Sequence, residues 1–531
     1  MMHVQSPVHR LPDDIIIEIC GYIPNRSRNN FPSVALTLSH VCGSWRSALL
    51  HSKLTWAYIP LHNLKWTQIA LERARPAPLT FEIRFGEVDH LSNSDAVVLA
   101  LDDLATVHHF SIFYHPTLAP IHRKDDIFRL LSQPAPPNLK TFNALGITKV
   151  DPDALQHLFS GSLPSSLSEL SVADAVIPDT WYAHAPPPHL RKVTLARCTL
   201  SPFHAVFSAS LTHLDISEHT AWFTQDHYAT LFRATPRLVS LSLVFSRPTR
   251  LHPSTEVANA LSHLPHLESL EMRTTLFNIG IILEVLHMPL STDIYLHGYD
   301  SRDHEPDNFS RLASALTSHF TPPPDTPLVF RTITVSGQSD AGYRFYASLP
   351  RSQASRFTAR HIVPFKFEYS NRDGGQDNAG GPLLHVLTHL PISLGVQRLH
   401  LHSHIGEVDA NSFHSLFGVL TCIDHVHVNG SAALAFASAF SRAYASGEHL
   451  FPALATLVLH EANFFQNKRG MLGSLQLGVF IREEKGNVPK SIELKRCGLS
   501  AAMLEVLRRA LPDAVELIWE GEVYACKKRQ A

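Results

Sequence analysis

Val396-Gln397-Arg398-Leu399-His400-Leu401-His402 and Ile423-Asp424-His425-Val426-His427-Val428-Asn429 share one pattern: an apolar residue, two others, an apolar residue, one other, an apolar residue. The closing alternation has the period of a β-strand, so Leu399 and Leu401 face one side while Arg398, His400 and His402 face the other. The same frame begins clearly at Val107, Leu139, Leu167, Leu190, Leu211, Leu238, Leu267, Phe330, Ile362 and Leu454, and more weakly around Ile294, Ile492 and Leu517. Steps are mostly about 21 to 35 residues, the range of repeats that pair one strand with one helix. Helical stretches are expected between strands, over 226–232, 254–264, 309–319 and 501–510, and prolines such as Pro236 and Pro265 stand just before the next frame. A strand with a helix laid behind it cannot bury its own apolar side, so stacked neighbours must bury it jointly. The expectation is an α/β chain of parallel strands with outer helices. An array of repeats and a generic parallel α/β domain both stay open.

Composition sets the wider bounds. With 531 residues the chain exceeds one compact core, and 44% hydrophobic content marks it as globular. A formal net charge of -2 gives no overall drive toward nucleic acid or an anionic membrane surface. Six cysteines, Cys20, Cys42, Cys198, Cys422, Cys497 and Cys526, lie scattered without a C-x-x-C pair, as expected of reduced structural thiols. The N-terminal residues lack a basic-plus-apolar signal segment and no run reaches the roughly twenty residues of a bilayer span. A cytoplasmic or nuclear location follows as the expectation. The alanine-rich run 431–441, with Phe436 and Phe440 one turn apart, reads as a packed helix.

Ahead of the frames, Pro12 suits a first helical position and Asp13 and Asp14 complement the positive helix end. Ile15, Ile16, Ile19, Cys20 and Ile23 follow at helical spacing in a stripe broad enough to bury two faces, until Pro24 ends the run. After the polar loop 25–30, Ser33 is placed to cap a second helix that brings Leu38, Val41, Cys42, Trp45 and Leu49 onto one side, with Gly43 as its weak point. Leu54 and Trp56 close the unit. About fifty residues cannot readily bury so much apolar surface alone, so a partner or the rest of the chain must cover part of it.

In that order, Leu11-Pro12, an isoleucine-rich helix, Val41-Cys42-x-x-Trp45-Arg46 and Leu54-x-Trp56 resemble the F-box, over about a tenth of the chain. The later region resembles irregular leucine-rich repeats, a pairing known in fungal-type F-box families. The resemblance implies a small helical F-box followed by a leucine-rich-repeat-like solenoid. It implies that Leu11, Pro12, Ile15 and Ile19 help dock the Skp adaptor of a cullin ligase core, while Val41, Cys42, Trp45 and Arg46 build and flank the module's core. Expected boundaries are 1–60 for the F-box-like module, 61–105 for a connecting segment or first cap, and 106–531 for the repeats, with a loop break at 371–382. The implied role is a non-catalytic ubiquitin-ligase adaptor in which the repeats hold an unknown protein substrate. A non-ligase scaffold, in which the F-box-like segment caps the solenoid, and a hydrolase with an unrecognised site stay open.

Enzyme signatures are missing: there is no G-x-S-x-G elbow, no G-x-x-x-x-G-K-[ST] loop, and Phe464 occupies the place of the second histidine that His460-Glu461 would need for zinc. No cofactor and no metal are expected. Histidine is unusually frequent, with 35 residues. If the quoted strands are neighbours in register, His400 lies beside His427 and a histidine patch forms on the outward face, extended by His460. The frame puts Asp215, Glu271, Arg273, Arg398, His400, His402, His425 and His427 outward, where substrate contacts are expected.

Overall fold

A computed structural model describes residues 11–22, 33–85, 93–114, 134–146, 163–181, 187–201, 203–218, 224–245, 251–253, 262–289, 291–299, 307–320, 332–338, 342–348, 365–370, 396–402, 410–442, 449–465 and 470–520, with positions 132, 155 and 158. Pro24, the loop 25–30 and the break at 371–382 lie outside the described residues. The chain is α/β and divides into two compact units, residues 1–222 with 230–240, and 223–229 with 241–531.

The first unit opens with α1 (Asp13–Tyr22), α2 (Ser33–Leu38), α3 (Gly43–His51), α4 (Lys53–Trp56) and α5 (Leu64–Ala74), then β1 (Leu79–Phe85) and α6 (Ser94–Leu101). Strands β2 (Val107–Tyr114), β3 (Thr141–Leu145), β4 (Glu169–Ala173), β5 (Lys192–Ala196) and β6 (His213–Ser217) follow, and each pairs with the next in parallel from β1 onward. β1 lies within 61–105, the segment expected as a connection or first cap. Pro12 caps α1 rather than starting it: its carbonyl accepts the Ile16 amide at 3.1 Å. The expected second helix is two. It breaks after Leu38, where Ser39 Oγ donates back to the Leu36 carbonyl at 2.6 Å, and α3 restarts at Gly43. Val41, expected on the inner side, falls in the break and is 51% exposed.

Helix α7 (Gln225–Ala234) spans the division between units. The second unit contains β7 (Ser240–Val244) apart from its first residue, then β8 (Ser262–His263), β9 (Ser269–Thr275), α8 (Leu276–Glu284), β10 (Leu286–His287), β11 (Asp293–Tyr299) and α9 (Asp307–Phe320). It continues with β12 (Thr332–Gln338), β13 (Gly342–Ser348), β14 (Phe365–Ser370), β15 (Arg398–Leu401), α10 (Ala410–Phe417), β16 (His425–Asn429), α11 (Ala432–Phe440), β17 (Thr456–His460), α12 (Gly470–Glu483), β18 (Ser491–Lys495), α13 (Ala501–Ala510) and β19 (Glu516–Glu520). Strands β15 through β19 form an unbroken parallel run, and β9 pairs in parallel with β11 and β11 with β14. Two expectations change here. Residues 262–263, read as helix, form a short strand beside β10, and β13 runs antiparallel between β12 and β14. Only three residues separate β12 from β13, far fewer than a parallel crossover needs, so a hairpin is the geometry available.

The frame is built in one recurring way at several of its described instances. Its first residue closes a tight turn: the amides of Leu139, Leu167, Leu211, Leu267 and Leu454 each donate to the carbonyl three residues back at 3.1–3.2 Å. The fourth and sixth residues then point inward, and Leu399, Val426, Leu457 and Ile492 align across four strands as one buried row. Helix residues such as Phe436 and Phe440, stacked at 5.4 Å, close the other side.

Seven of the described strands also end alike. The residue after β3, β4, β5, β6, β16, β17 and β18 has a left-handed backbone: Gly146, Asp174, Arg197, Glu218, Gly430, Glu461 and Arg496, with φ between 51° and 69°. Its amide reaches the next strand, as Gly430 does to the His460 carbonyl at 2.9 Å. Two positions beyond that strand end, the buried thiols of Cys198 and Cys497 donate to the Val172 and Leu459 carbonyls, both at 3.3 Å. Burial pushes both thiols up to about 11, so neither is a nucleophile. Gly430→Val should cost roughly 1–2 kcal/mol, because a β-branched side chain is poorly accommodated at positive φ. Urea unfolding followed by circular dichroism reads this out, and an unchanged midpoint would contradict the assigned turn.

Candidate functional site

Two surfaces gather the residues singled out by sequence. The first is the N-terminal module. Ile16 and Cys20 of α1, Ala35 of α2, and Trp45, Ala48 and Leu49 of α3 form one buried cluster, against which Leu11, Ile19, Leu38, Cys42 and Tyr58 pack in part. Arg46 is exposed, and it braces the break between helices by donating from Nε to the Ser39 carbonyl at 3.2 Å. Cys42 caps α3; the Ser44 hydroxyl, 3.1 Å away, holds its thiol below the ordinary value. Pro12 is exposed, Ile15 is 38% exposed and Leu54 62% exposed. Ile15 and Ile19, one turn apart, lie about 100° around α1 from the Ile16–Cys20 line that faces the cluster; Ile19 packs against the cluster in part, and Ile15 stays exposed. Helix α1 therefore buries most of its apolar stripe and leaves Ile15 exposed at the edge of it. Trp56 closes the far end of the module, stacked on Trp66 at 6.4 Å with Arg73 4.6 Å from its ring.

The second surface is the outward face of the strands in the second unit. Asp215 belongs to the first unit, half-buried on β6. The other outward residues fall into two groups on the second unit's sheet, separated by β14, β13 and β12. On β9 and its neighbours, Arg273 Nε pairs with Glu271 at 2.6 Å. Beside them the sequence reading missed a constellation around Glu368, a buried carboxylate of β14. It accepts from the Tyr295 hydroxyl at 2.7 Å and pairs with Lys366 at 2.8 Å, with His297 at 3.6 Å. Lys366 Nζ and the Arg273 guanidinium lie 4.2 and 5.2 Å from the centre of the Tyr295 ring. Burial and the adjoining Glu368 carboxylate raise the Tyr295 hydroxyl well above its ordinary value, so it stays a hydrogen-bond donor. The first unit repeats the device: Tyr58 donates to buried Glu82 at 3.0 Å, and Arg84 pairs with Glu82 at 2.5 Å. Alternation alone puts Lys366 and Glu368 outward. What it cannot supply is the pairing of β14 with β11, some seventy residues apart.

The histidine group forms as the register requires. His400 sits opposite His427, with ring centroids 5.3 Å apart; His427 lies 5.8 Å from His460, and His400 6.4 Å from His425. Arg398 pairs with His425 across the same two strands, and Arg398 and His402 are exposed. Burial lowers His400, His425 and His427, and neighbouring histidines push His427 further, to about 4. These three imidazoles are neutral at pH 7. No group of three or more His, Cys, Asp or Glu side chains among the described residues is arranged to hold a metal ion.

A pH dependence follows, with its sign fixed by the depressed values. Above the ordinary histidine value of 6.5 the neutral imidazoles contribute full stability; as pH falls from there toward about 4, the unfolded chain takes up protons first and stability is lost. The urea midpoint should drop between pH 7.5 and pH 5.0, and drop less in His400→Asn with His427→Asn. Equal drops in both proteins would remove these histidines as the cause.

No protein-family model matches the chain, and no curated protein matches it significantly. No helix among the described residues is long and apolar enough to cross a membrane.

Proposed function

We propose that the chain is the substrate-recognition adaptor of a Skp-cullin-F-box type ubiquitin ligase, with an F-box at its N-terminus and a leucine-rich-repeat-like solenoid after it. The observation that carries this is the incompletely covered first helix. Ile16 and Cys20 build the module's core with Trp45 and Leu49, while Ile15 and Val41 stay at the surface. Apolar side chains left out at the edge of so small a core are what a second protein would cover. The adaptor would take Leu11, Pro12, Ile15 and Ile19, flanked by Val41, Cys42 and Arg46 around buried Trp45. Outward strand residues, among them Glu271, Arg273, Arg398 and the histidines, would hold the target protein. Tethering raises the target's effective concentration near the charged ubiquitin carrier, so the chain itself need supply no chemistry. The ligase machinery works in cytoplasm and nucleus, and the chain would work there with it.

A second reading has an observation of its own. Tyr58 bridges in parallel to Thr80 of β1 and its hydroxyl reaches Glu82, so the module runs directly into the first strand and could serve as a terminal cap. Co-purification with the Skp adaptor separates the two. Ile15→Asp with Val41→Asp alters exposed positions only, so circular dichroism should be unchanged while adaptor recovery is lost. Undiminished recovery would leave the capping scaffold as the better account.

A further inference from the structure

Along the outward face of the second unit, carboxylates are already balanced on their own strand: Glu271 by Arg273 at 2.6 Å on β9, Glu368 by Lys366 at 2.8 Å on β14, and Glu493 by Lys495 at 2.8 Å on β18. Between these pairs lies a strip that differs. Its outward positions are Thr332 and Thr334 on β12, Arg398 and His400 on β15, His425, His427 and Asn429 on β16, and Thr456, Val458 and His460 on β17, with His402 just past β15. Among the described residues of these four strands, no outward position is acidic. One guanidinium and five imidazoles are thus grouped with no carboxylate in the strip to balance them.

We infer that this strip docks an acidic peptide segment, whose carboxylates lie against Arg398 and the surrounding imidazoles and which binds more tightly as the medium becomes mildly acidic. The inference rests on the substrate-recognition reading for what the peptide belongs to, and on the strip itself for its chemistry. Four strands about 4.8 Å apart span roughly 14 Å, which an extended peptide crosses in about four residues. At neutral pH Arg398 is the strip's one fixed cation, and the imidazoles repel one another's protons: His427 is lowered by His400, His460, His402 and His425, and His400 by His425, His402 and Arg398, after burial in each case. A carboxylate laid across them reverses that penalty, so binding and proton uptake favour each other. Acidic groups bordering the strip are few. Asp424 and Glu493 act on His425, Lys495 opposes them, and Glu461 lies 4.0 Å from His460. The Glu493–Lys495 pair cancels largely within itself, which leaves the strip's sign intact.

The test uses the full chain and a rhodamine-labelled hexaglutamate peptide, with a glycine-serine peptide as control, read by fluorescence anisotropy. Hexaglutamate should bind about fivefold tighter at pH 6.0 than at pH 7.5, which corresponds to linked uptake of about half a proton on average over that range, and the control should not bind. His400→Asn with His425→Asn should remove most of that pH ratio. Arg398→Gln, at an exposed position that leaves the fold intact, should weaken binding similarly at both pH values and keep the ratio. Hexaglutamate binding no better than the control at pH 6.0, or a pH ratio unchanged in the double variant, overturns the inference. Adaptor co-purification measured on the same proteins keeps the two readings apart, because peptide binding can fail while adaptor binding persists, and the reverse.

Discussion

Trp45→Ala is expected to unfold the N-terminal module while leaving the strand ladder folded. Trp45 is 7% exposed and shares its buried cluster with Ile16, Cys20, Ala35, Ala48 and Leu49 among the described residues, with Leu11, Ile19, Leu38, Cys42 and Tyr58 packed against it in part. Removing a buried tryptophan from a well-filled core costs about 3–5 kcal/mol, and a cluster of this size has little else to offset the loss. Relaxation into the gap is limited, since two of the remaining members are alanines that cannot extend into it. Limited proteolysis should show rapid cleavage within residues 13–22 and 33–56 of the variant, with the wild type protected in those two stretches. The urea transition of the second unit should stay where it was. Protection retained in the variant would mean that the module is held by something other than this cluster.

Val426→Asp should have an effect at least as large, and in the other unit. Val426 is fully buried between Leu399 and Leu457, its direct partners on β15 and β17. A carboxylate there has no cationic partner in the buried row and must either stay charged in an apolar layer or take up a proton. Either outcome costs more than about 4 kcal/mol, the range in which single substitutions unfold domains. Each strand is braced by its two neighbours, so the damage should spread along β15, β16 and β17 and appear as rapid amide exchange there. An outward change on the same strands, such as Arg398→Gln, should shift stability by less than about 0.5 kcal/mol. Similar losses for the two variants would contradict the assignment of inward and outward faces.

How much of this was legible in the sequence differs from element to element, for physical reasons. The frame located strands well because period-two alternation and a preceding tight turn are both local, and Leu399, Leu401, Val426 and Val428 all proved buried. The break between α2 and α3 was hidden, because Leu38, Val41, Cys42 and Trp45 keep helical spacing across a four-residue turn. What makes the turn is the Ser39 hydroxyl bonding backward and Arg46 bonding to Ser39, and neither shows in a hydrophobic pattern. The histidine neighbours were predictable because β15 and β16 are consecutive parallel strands in register. The Tyr295–Glu368–Lys366 constellation was not, because it depends on β13 turning back and so bringing β14 beside β11. Cys198 and Cys497 looked like scattered thiols; their shared place just beyond a strand end emerged only once the strands were aligned.

The adaptor reading stands on the apolar stripe of α1 that the module leaves incompletely covered at Ile15, and calorimetric titration of the purified chain with purified Skp adaptor tests it most directly. The account predicts saturable binding with Kd below about 1 μM, a negative heat-capacity change from buried apolar surface, and loss of both in Ile15→Asp. A flat titration of the folded wild-type chain, at adaptor concentrations of tens of micromolar or about −6 kcal/mol of binding free energy, would contradict it.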